Sequence, residues 1–504
     1  MGTNAADVRR TRIRSDQRGW WIAIVLLFAL GAGLRVHNAF GYWLNTGYDA
    51  PFNWDYIVNL TKSWKLPHPE SHWSAARPPL FFYMGGALAR EFGPRPAPSI
   101  WAVRIVSSAF GLFAIGFSSW IIRRASPLDL RRVAIASGLL LFLPAHIYMS
   151  AMLNEEILAA TFTTIALGLA ILDRRAPLPA VGASRAESRA SWARLVGIGL
   201  AGGFAVMTKL TGSLVVVAIV AAMLLDGWRD KTLKRTFLRA AAVASIALVT
   251  GGWFYARSLA VYGYLYPHSL KTHKVMLDLP PGERGIADYV RFPLSTFTNP
   301  RNDSDDLMHS VWGGTYATLW FDGQRHFMPR AHANVDRIGF CILLLALLPT
   351  LAFAFGLRDA IRRVWATPRS SDAPMLALLS ITLAGYVYFT WKNPWYPTVK
   401  GTYLLGLGLP YAYWSSERLA LWTRAPQWRG VLVWGALCAL LISSATAFTW
   451  GTPLWTMTLG SNPPGLRGMA LRPKPPRQVP SRQVPPGGWW SPEQGKAKSN
   501  QRVK

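Results

Sequence analysis

Asp49 and Asp55 lie in the run Gly47-Tyr48-Asp49-Ala50-Pro51-Phe52-Asn53-Trp54-Asp55-Tyr56, just beyond the first long apolar stretch. A carboxylate there can take a proton from an acceptor hydroxyl or amine, a contribution of roughly 10²- to 10⁴-fold in rate. Asp49 is the expected base and Asp55 the alternative. Without chemistry, either acid would cap an interfacial helix of the same loop or pair with Lys62 or Arg77. Glu155 and Glu156 open a later apolar segment, where a helix N-terminus favours an acid by about 0.3–1 kcal/mol. Adjacent acids cannot share one helix face, and Glu155 is the one expected to point into a site, orienting the acceptor or joining Asp49 around a cation.

Basic residues are the counterpart: were the group that leaves a phosphate, cations would have to hold it. Lys209 is the one charge in the apolar run 195–225. As a single helix that run would measure about 46 Å, too long for one crossing. Its flanks are both Arg-rich, which demands a hairpin with Lys209 at its tip. The two arms, roughly 21–24 Å each, fall just short of crossing and leave Lys209 slightly below the surface. A charge there needs a partner, and a lipid phosphate is the expected one, with phospholipid headgroups as the alternative. Arg257, after Trp253 and Tyr255, offers a planar fork suited to phosphate oxygens or serves as an interfacial anchor. Lys400 and Tyr403 stand at the start of a further apolar stretch and can complete the same pocket.

These residues need elements to carry them, and the composition says that the elements are membrane spans. Hydrophobic residues make up 51% of the 504-residue chain and charged residues 16%. Stretches long enough to cross a core of roughly 30 Å recur. Eleven spans are expected, near 20–38, 98–122, 133–151, 155–172, 195–208, 210–226, 240–258, 338–356, 374–391, 401–416 and 430–450. The first is too long, and lacks the cleavage site, for a removable signal peptide. The architecture is therefore an all-α polytopic membrane protein.

Arginine clusters at 9–18, 123–132, 174–194, 229–239, 358–369 and 418–429 fall on one side of these spans. The positive-inside rule makes that side cytoplasmic. Most acids and the histidines then map to the outer side, together with two long loops, 39–97 and 259–337. In the first, Pro78 to Phe92 is an apolar stretch too short to span and reads as an interfacial helix. The excess of 54 Lys and Arg over 25 Asp and Glu is thus a topology signal, and no nucleic-acid motif accompanies it. Residues 1–19 form a basic cytoplasmic N-terminus and 20–450 the membrane domain. The tail 451–504, rich in Pro and with the near-duplication Arg477-Gln478-Val479-Pro480 and Arg482-Gln483-Val484-Pro485, is expected to be disordered.

Five islands in order, the Asp49 loop with Arg77-Pro78-Pro79-Leu80, Asn154-Glu155-Glu156, Met207-Thr208-Lys209-Leu210-Thr211-Gly212, Trp253-Phe254-Tyr255-Ala256-Arg257 with Tyr262-Gly263, and Lys400-Gly401-Thr402-Tyr403-Leu404-Leu405, resemble the protein O-mannosyltransferase and aminoarabinose-transferase superfamily of the GT-C class. The resemblance covers roughly residues 20–420. It implies a multi-pass enzyme of the cell membrane that takes a sugar from a polyprenyl-phosphate donor on the extracytoplasmic side. The family often carries Asp-Glu where this chain has Asp49-Ala50, so metal or acceptor binding is expected to differ.

With Asp49 and Glu155 the only well-placed acids, a hard divalent cation wanting about six or more oxygens would draw most of them from water and substrate. No cofactor is expected, and a divalent cation is the alternative. Zinc is disfavoured, because Pro67 and Pro69 keep the i, i+4 pair His68 and His72 off a helix. Asn302-Asp303-Ser304-Asp305-Asp306 lacks the Gly and terminal Glu of a calcium loop and reads as a polar turn. Cys341 and Cys438 both fall inside spans, so no disulfide framework is implied. Two other functions fit the span count: a transporter or flippase of a lipid-linked or anionic substrate, which would need paired inverted repeats, and a non-catalytic GT-C-like subunit.

Overall fold

The computed structural model describes residues 5–93, 96–176, 184–266, 279–328, 333–367, 369–425 and 428–449. The Pro-rich tail, together with His268, His273 and His332, lies outside them. The described chain is helical, apart from one isolated bridge between Pro281 and Trp395. Among the described residues nine helices are long and apolar enough to cross a membrane: Gln17–Gly41, Pro96–Ala125, Glu156–Arg175, Ala186–Thr208, Leu210–Arg229, Leu233–Tyr262, Val335–Ala366, Asp372–Lys392 and Trp428–Phe448. The chain is an integral multi-pass membrane protein.

Two of the eleven expected spans are not among these nine helices. The stretch 133–151 is a pair, Leu130–Leu141 and Pro144–Ser150, bent by 58°. Pro144 has no N–H to continue the ladder, and its ring clashes with the carbonyl of the preceding turn. The stretch 401–416 begins as a tight 3₁₀ turn, Gly401–Leu407, before the α-helix Gly408–Trp422. Gly401 is required there, because a Cβ would fall 2.5 Å from Leu319 Cβ. Both irregular elements border the polar residues singled out above.

The hairpin around Lys209 is present, but its arms are longer than expected. The first helix starts at Arg185 and runs 24 residues to Thr208, about 36 Å at the usual rise, so the arm is long enough to cross. The short-arm reason for placing Lys209 below the surface therefore fails, although Lys209 does occupy the tip between Thr208 and the 3₁₀ turn Leu210–Gly212. Gly212 allows the tight reversal, since a Cβ would lie 2.2 Å from the Ala205 backbone.

Burial identifies the centre of the bundle. The most apolar window of Glu156–Arg175 is 78% buried, against 22% for Gln17–Gly41. The central helix thus begins at the acids Glu155 and Glu156. Its Arg-rich end is closed by ion pairs: Arg174 with Asp226, Arg194 and Arg239 with Asp173, Arg363 with Asp372 and Glu417, and Arg418 with Asp359.

The first long loop folds as two packed helices, Ala50–Lys62 and Leu80–Glu91. Tyr56 of the first stacks on Phe82 of the second with ring centroids 4.0 Å apart. Fully buried Arg104 fixes where this loop begins. It donates to the carbonyls of Ala39, Tyr42, Trp43 and Leu44 at 2.7–3.3 Å, the acceptors that a helix end leaves orphaned. Arg35, also fully buried, does the same at the bent pair, donating to Leu141 O at 3.0 Å and meeting His146 Nδ1 at 3.1 Å.

Candidate active site

Asp49 is the residue before Ala50–Lys62 and sits in the left-handed region at φ 56°, a conformation that Asp tolerates better than most residues. Its side chain makes no cap hydrogen bond, so the capping role expected of an acid there is not taken up. Instead Arg77 Nη2 donates to Asp49 Oδ2 at 2.5 Å. Arg77 Nη1 donates to both oxygens of Glu155, at 3.1 and 3.2 Å, and to Asn53 Oδ1 at 3.1 Å. Arg77 therefore joins the first loop to the start of the central helix. Asn53 completes the link, donating to Leu153 O at 2.8 Å and accepting from Ser74 Oγ at 2.7 Å.

The two glutamates divide as their adjacency demands. Glu155 faces Arg77, and buried Glu156 pairs with Lys209. Neither glutamate caps with its side chain; the Glu156 N–H donates to Asn154 Oδ1 at 2.8 Å. Within the chain itself Lys209 is thus partnered by a carboxylate. A hairpin tip beside the acid-bearing end of the central helix makes this pairing, and spacing along the chain could not reveal it. Tyr403 lies beneath Lys209, 4.7 Å from Nζ to the ring centroid.

Lys400 is half-buried over the Tyr48 ring at 4.2 Å, with the Tyr403 ring at 5.9 Å. Among the described residues no carboxylate lies within salt-bridge distance of it, unlike Arg77 and Lys209. Its backbone is pinned where the helix is interrupted: the Lys400 N–H donates to Tyr386 Oη and the Gly401 N–H to Thr318 Oγ1, at 3.1 and 2.7 Å. Burial lowers the Lys400 pKa, and Asp49 only partly offsets that. Burial would raise the Asp49 carboxyl, but Arg77 and then Lys400 outweigh it and hold Asp49 below the usual carboxylate range. The cluster is balanced, with three carboxylates (Asp49, Glu155, Glu156) against three cations (Arg77, Lys209, Lys400).

Two of the expected site residues stand apart. Asp55 is exposed on the second turn of Ala50–Lys62, with no ion pair or hydrogen bond among the described residues; Asn53 and Tyr56 take the buried face. Arg257 is half-buried in a separate cavity with Leu66, Pro67, Phe254 and Tyr262, and its guanidinium meets Tyr262 Oη at 3.5 Å. Ala75 and Ala76 wall that cavity, immediately before Arg77.

Three contributors escaped the sequence reading of the site. Arg77 entered it only as a neutralising partner, yet it is the hub. Asn53 carries no charge and stood out from nothing. His326 packs edge-on to Tyr48 at 4.6 Å and helps to lower Asp49. It is held there by buried Asp322, which accepts from the N–H groups of His326, Phe327 and Met328 at 2.7–3.0 Å. The expected polar turn covers only residues 302–304, which lead into the short helix Asp305–Met308, and Asn302 fastens it to Val399 O at 2.7 Å, next to Lys400. No group of three or more His, Cys, Asp or Glu able to hold a metal ion occurs among the described residues.

No family model matches the sequence, and no curated protein does. Solved structures do. The crystal structure of ArnT from Cupriavidus metallidurans bound to undecaprenyl phosphate is similar, with a TM-score of 0.52 and 15% identity over 87% of this chain and 78% of that one. The same protein in the apo state matches at a TM-score of 0.40 and 17% identity over the same shares. The chain has a GT-C-type fold. The GT-C-type architecture explains why a polar cluster forms where it does: long loops and the end of a central helix converge at one end of the spans.

Proposed function

We propose that the protein is a lipid-carrier-dependent glycosyltransferase, moving a hexosyl or pentosyl unit from a polyprenyl-phosphate donor to an acceptor at the outer face of the cell membrane. The observation that carries this reading is the partly exposed cluster in which Asp49 and Glu155 share Arg77 while Lys400 has no carboxylate within salt-bridge distance. It is supported by the shared fold of ArnT, a protein crystallised with undecaprenyl phosphate. Transfer from a labelled polyprenyl-phosphate sugar in membranes holding the chain, compared with membranes lacking it, tests the reading directly.

In this mechanism Asp49 Oδ2 stays with Arg77 and Oδ1 receives the acceptor proton as the acceptor oxygen or nitrogen bonds to the sugar. The sugar–phosphate C–O bond breaks, and the phosphate keeps the electron pair. Lys400 is the cation best placed to hold that phosphate, with Tyr403 packed beside it and Lys209 reachable if it exchanges Glu156 for the ligand. Arg257 is a further cation available to the donor, from the cavity behind Ala75 and Ala76. Glu155 orients the acceptor through Arg77. The ion pairs at the Arg-rich end hold several helices together there, which favours an enzyme with one open side over a transporter that must open both.

Lys400→Met should weaken donor binding by about 10- to 100-fold, the range for losing a charged hydrogen-bond partner, while the fold is kept because no carboxylate is left behind. Equilibrium binding of the labelled donor measures it, and unchanged affinity would remove Lys400 from the phosphate site. Lys209→Met must be read differently. It strands buried Glu156, a change that costs about 3–5 kcal/mol, so only a Glu156→Gln background separates lost stability from lost donor affinity.

Activity is expected to survive EDTA, because Arg77, Lys209 and Lys400 supply the charge that a cation would otherwise bring. A loss that manganese restores would instead make Asp49 and Glu155 metal ligands. The sidedness rests on the Arg clusters. Cysteines placed at Ser184 and Ser304 should label oppositely in intact cells with an impermeant reagent, only the one at Ser304 reacting.

A further inference from the structure

The second long loop carries an apolar row that the site does not use. Ile286 and Val290 are each 77% exposed and Leu294 is 82% exposed. Ile286 is the N-cap of the short helix Ala287–Val290 and Val290 its last residue, an i, i+4 pair, and Leu294 follows after an extended Arg291. Asp288 is two residues from both Ile286 and Val290, about 200° around a helix, and is buried, as is Arg284 just before the helix. That opposite side packs on protein: Arg284 donates to Met308 O at 2.9 Å, and Asp288 lies 3.6 Å from His309 Nδ1. The segment is thus amphipathic, with its polar side turned inward and its apolar side bare, the reverse of what water selects.

Its position says what covers the bare side. Tyr289 Oη meets Thr390 Oγ1 at 3.0 Å and Val387 O at 3.3 Å, and its ring lies 6.0 Å from Trp391. These residues are the last turns of the span Asp372–Lys392, whose own Tyr388 and Trp391 are exposed. Exposed aromatics at the end of a span mark the headgroup level. The row is therefore continuous with a lipid-facing surface at that depth.

We propose that Ile286, Val290 and Leu294 insert into the adjacent leaflet at the boundary between headgroups and acyl chains, anchoring the second long loop to lipid. The anchor also reaches the polar cluster. Its inward side holds the chain that leads to Lys400, through the Pro281–Trp395 bridge, Tyr396 N–H donating to Pro280 O at 2.9 Å, and Arg284 donating to Trp395 O at 3.4 Å. Lipid contact at 286–294 thus fixes the height of Lys400 relative to the membrane surface. Only this consequence depends on the proposed reaction; the anchor does not.

The test uses the full chain with Cys341→Ala and Cys438→Ala, reconstituted in phosphatidylcholine–phosphatidylglycerol nanodiscs. Single cysteines replacing Ile286, Val290 and Leu294 carry an environment-sensitive fluorophore, with exposed Glu283→Cys as the aqueous control. Expected are blue-shifted emission and quenching by a lipid brominated near the headgroup at the three positions, and quenching by iodide at 283. Iodide quenching of the three without lipid quenching would overturn the proposal. So would access by neither quencher, which would mean that a second copy or another protein covers the row. Transfer activity is read separately, so a failed anchor and a failed glycosyltransferase reading remain distinguishable.

Discussion

Replacing Asp49 by Asn is expected to lower transfer by about 10²- to 10⁴-fold, the range attributed to a positioned general base, with normal insertion and a modest fall in unfolding temperature at neutral pH. The fold should survive because Arg77 retains Glu155 at 3.1 Å, so no buried cation is orphaned. Asp55→Asn should leave the rate near normal, since Asp55 is exposed and outside the cluster. Initial rates for both variants in proteoliposomes decide the matter. A near-normal Asp49→Asn enzyme would pass the role of base to Glu155. The resting pKa of Asp49 bears on this. It is depressed because Arg77 and Lys400 outweigh burial, so its charge stabilises the fold above the unfolded-state pKa. That stabilisation is lost as pH falls through the lower, folded value. The stability difference between the parent and Asp49→Asn should therefore shrink in acid.

Arg77→Met is expected to do the most damage of any single change. It leaves Asp49 and Glu155 facing each other without their shared cation, and breaking a buried pair costs about 3–5 kcal/mol. It also removes the main influence holding Asp49 down, so the acid limb of kcat/KM, which reports the free enzyme, should move to higher pH. Arg77→Lys should recover stability only in part, because a point charge cannot serve Asp49, Glu155 and Asn53 at once as a planar fork does. The pH–rate profile and thermal unfolding of both variants provide the check. An unmoved acid limb together with an unmoved unfolding midpoint would show that Arg77 does not govern Asp49. A donor phosphate drawn to Lys400 would act in the same direction, loosening the hold on Asp49 and making it a stronger base once the donor is bound.

Membrane spans were legible because the bilayer imposes its length on the sequence, and apolar runs such as 98–122 report it without help from neighbours. The two readings that differed, 133–151 and 401–416, fail at Pro144 and at Gly401, where local backbone chemistry interrupts an apolar run that hydropathy alone scores as continuous. The hairpin at Lys209 was legible from charge, since Arg-rich flanks must share a side. Its arm lengths were not, because Ser184 and Glu187 start the helix early in a polar stretch by a capping box.

The candidate site divides the same way. Sequence by itself marked Asp49, Glu155, Lys209 and Lys400, because a charge at the edge of an apolar span is costly enough to be retained only with a partner or a purpose. It could not say who the partners are. Only the tertiary structure decided that Arg77 binds Asp49 and Glu155 together, that Lys209 answers Glu156, that Lys400 is left without a carboxylate, and that Asp55 and Arg257 stand aside. The physical reason is that solvation cost is a property of one residue and its local run, whereas pairing depends on which helix ends converge. Residues 49, 77, 155, 209 and 400 meet only when two loops and a hairpin tip are brought to the head of one central helix.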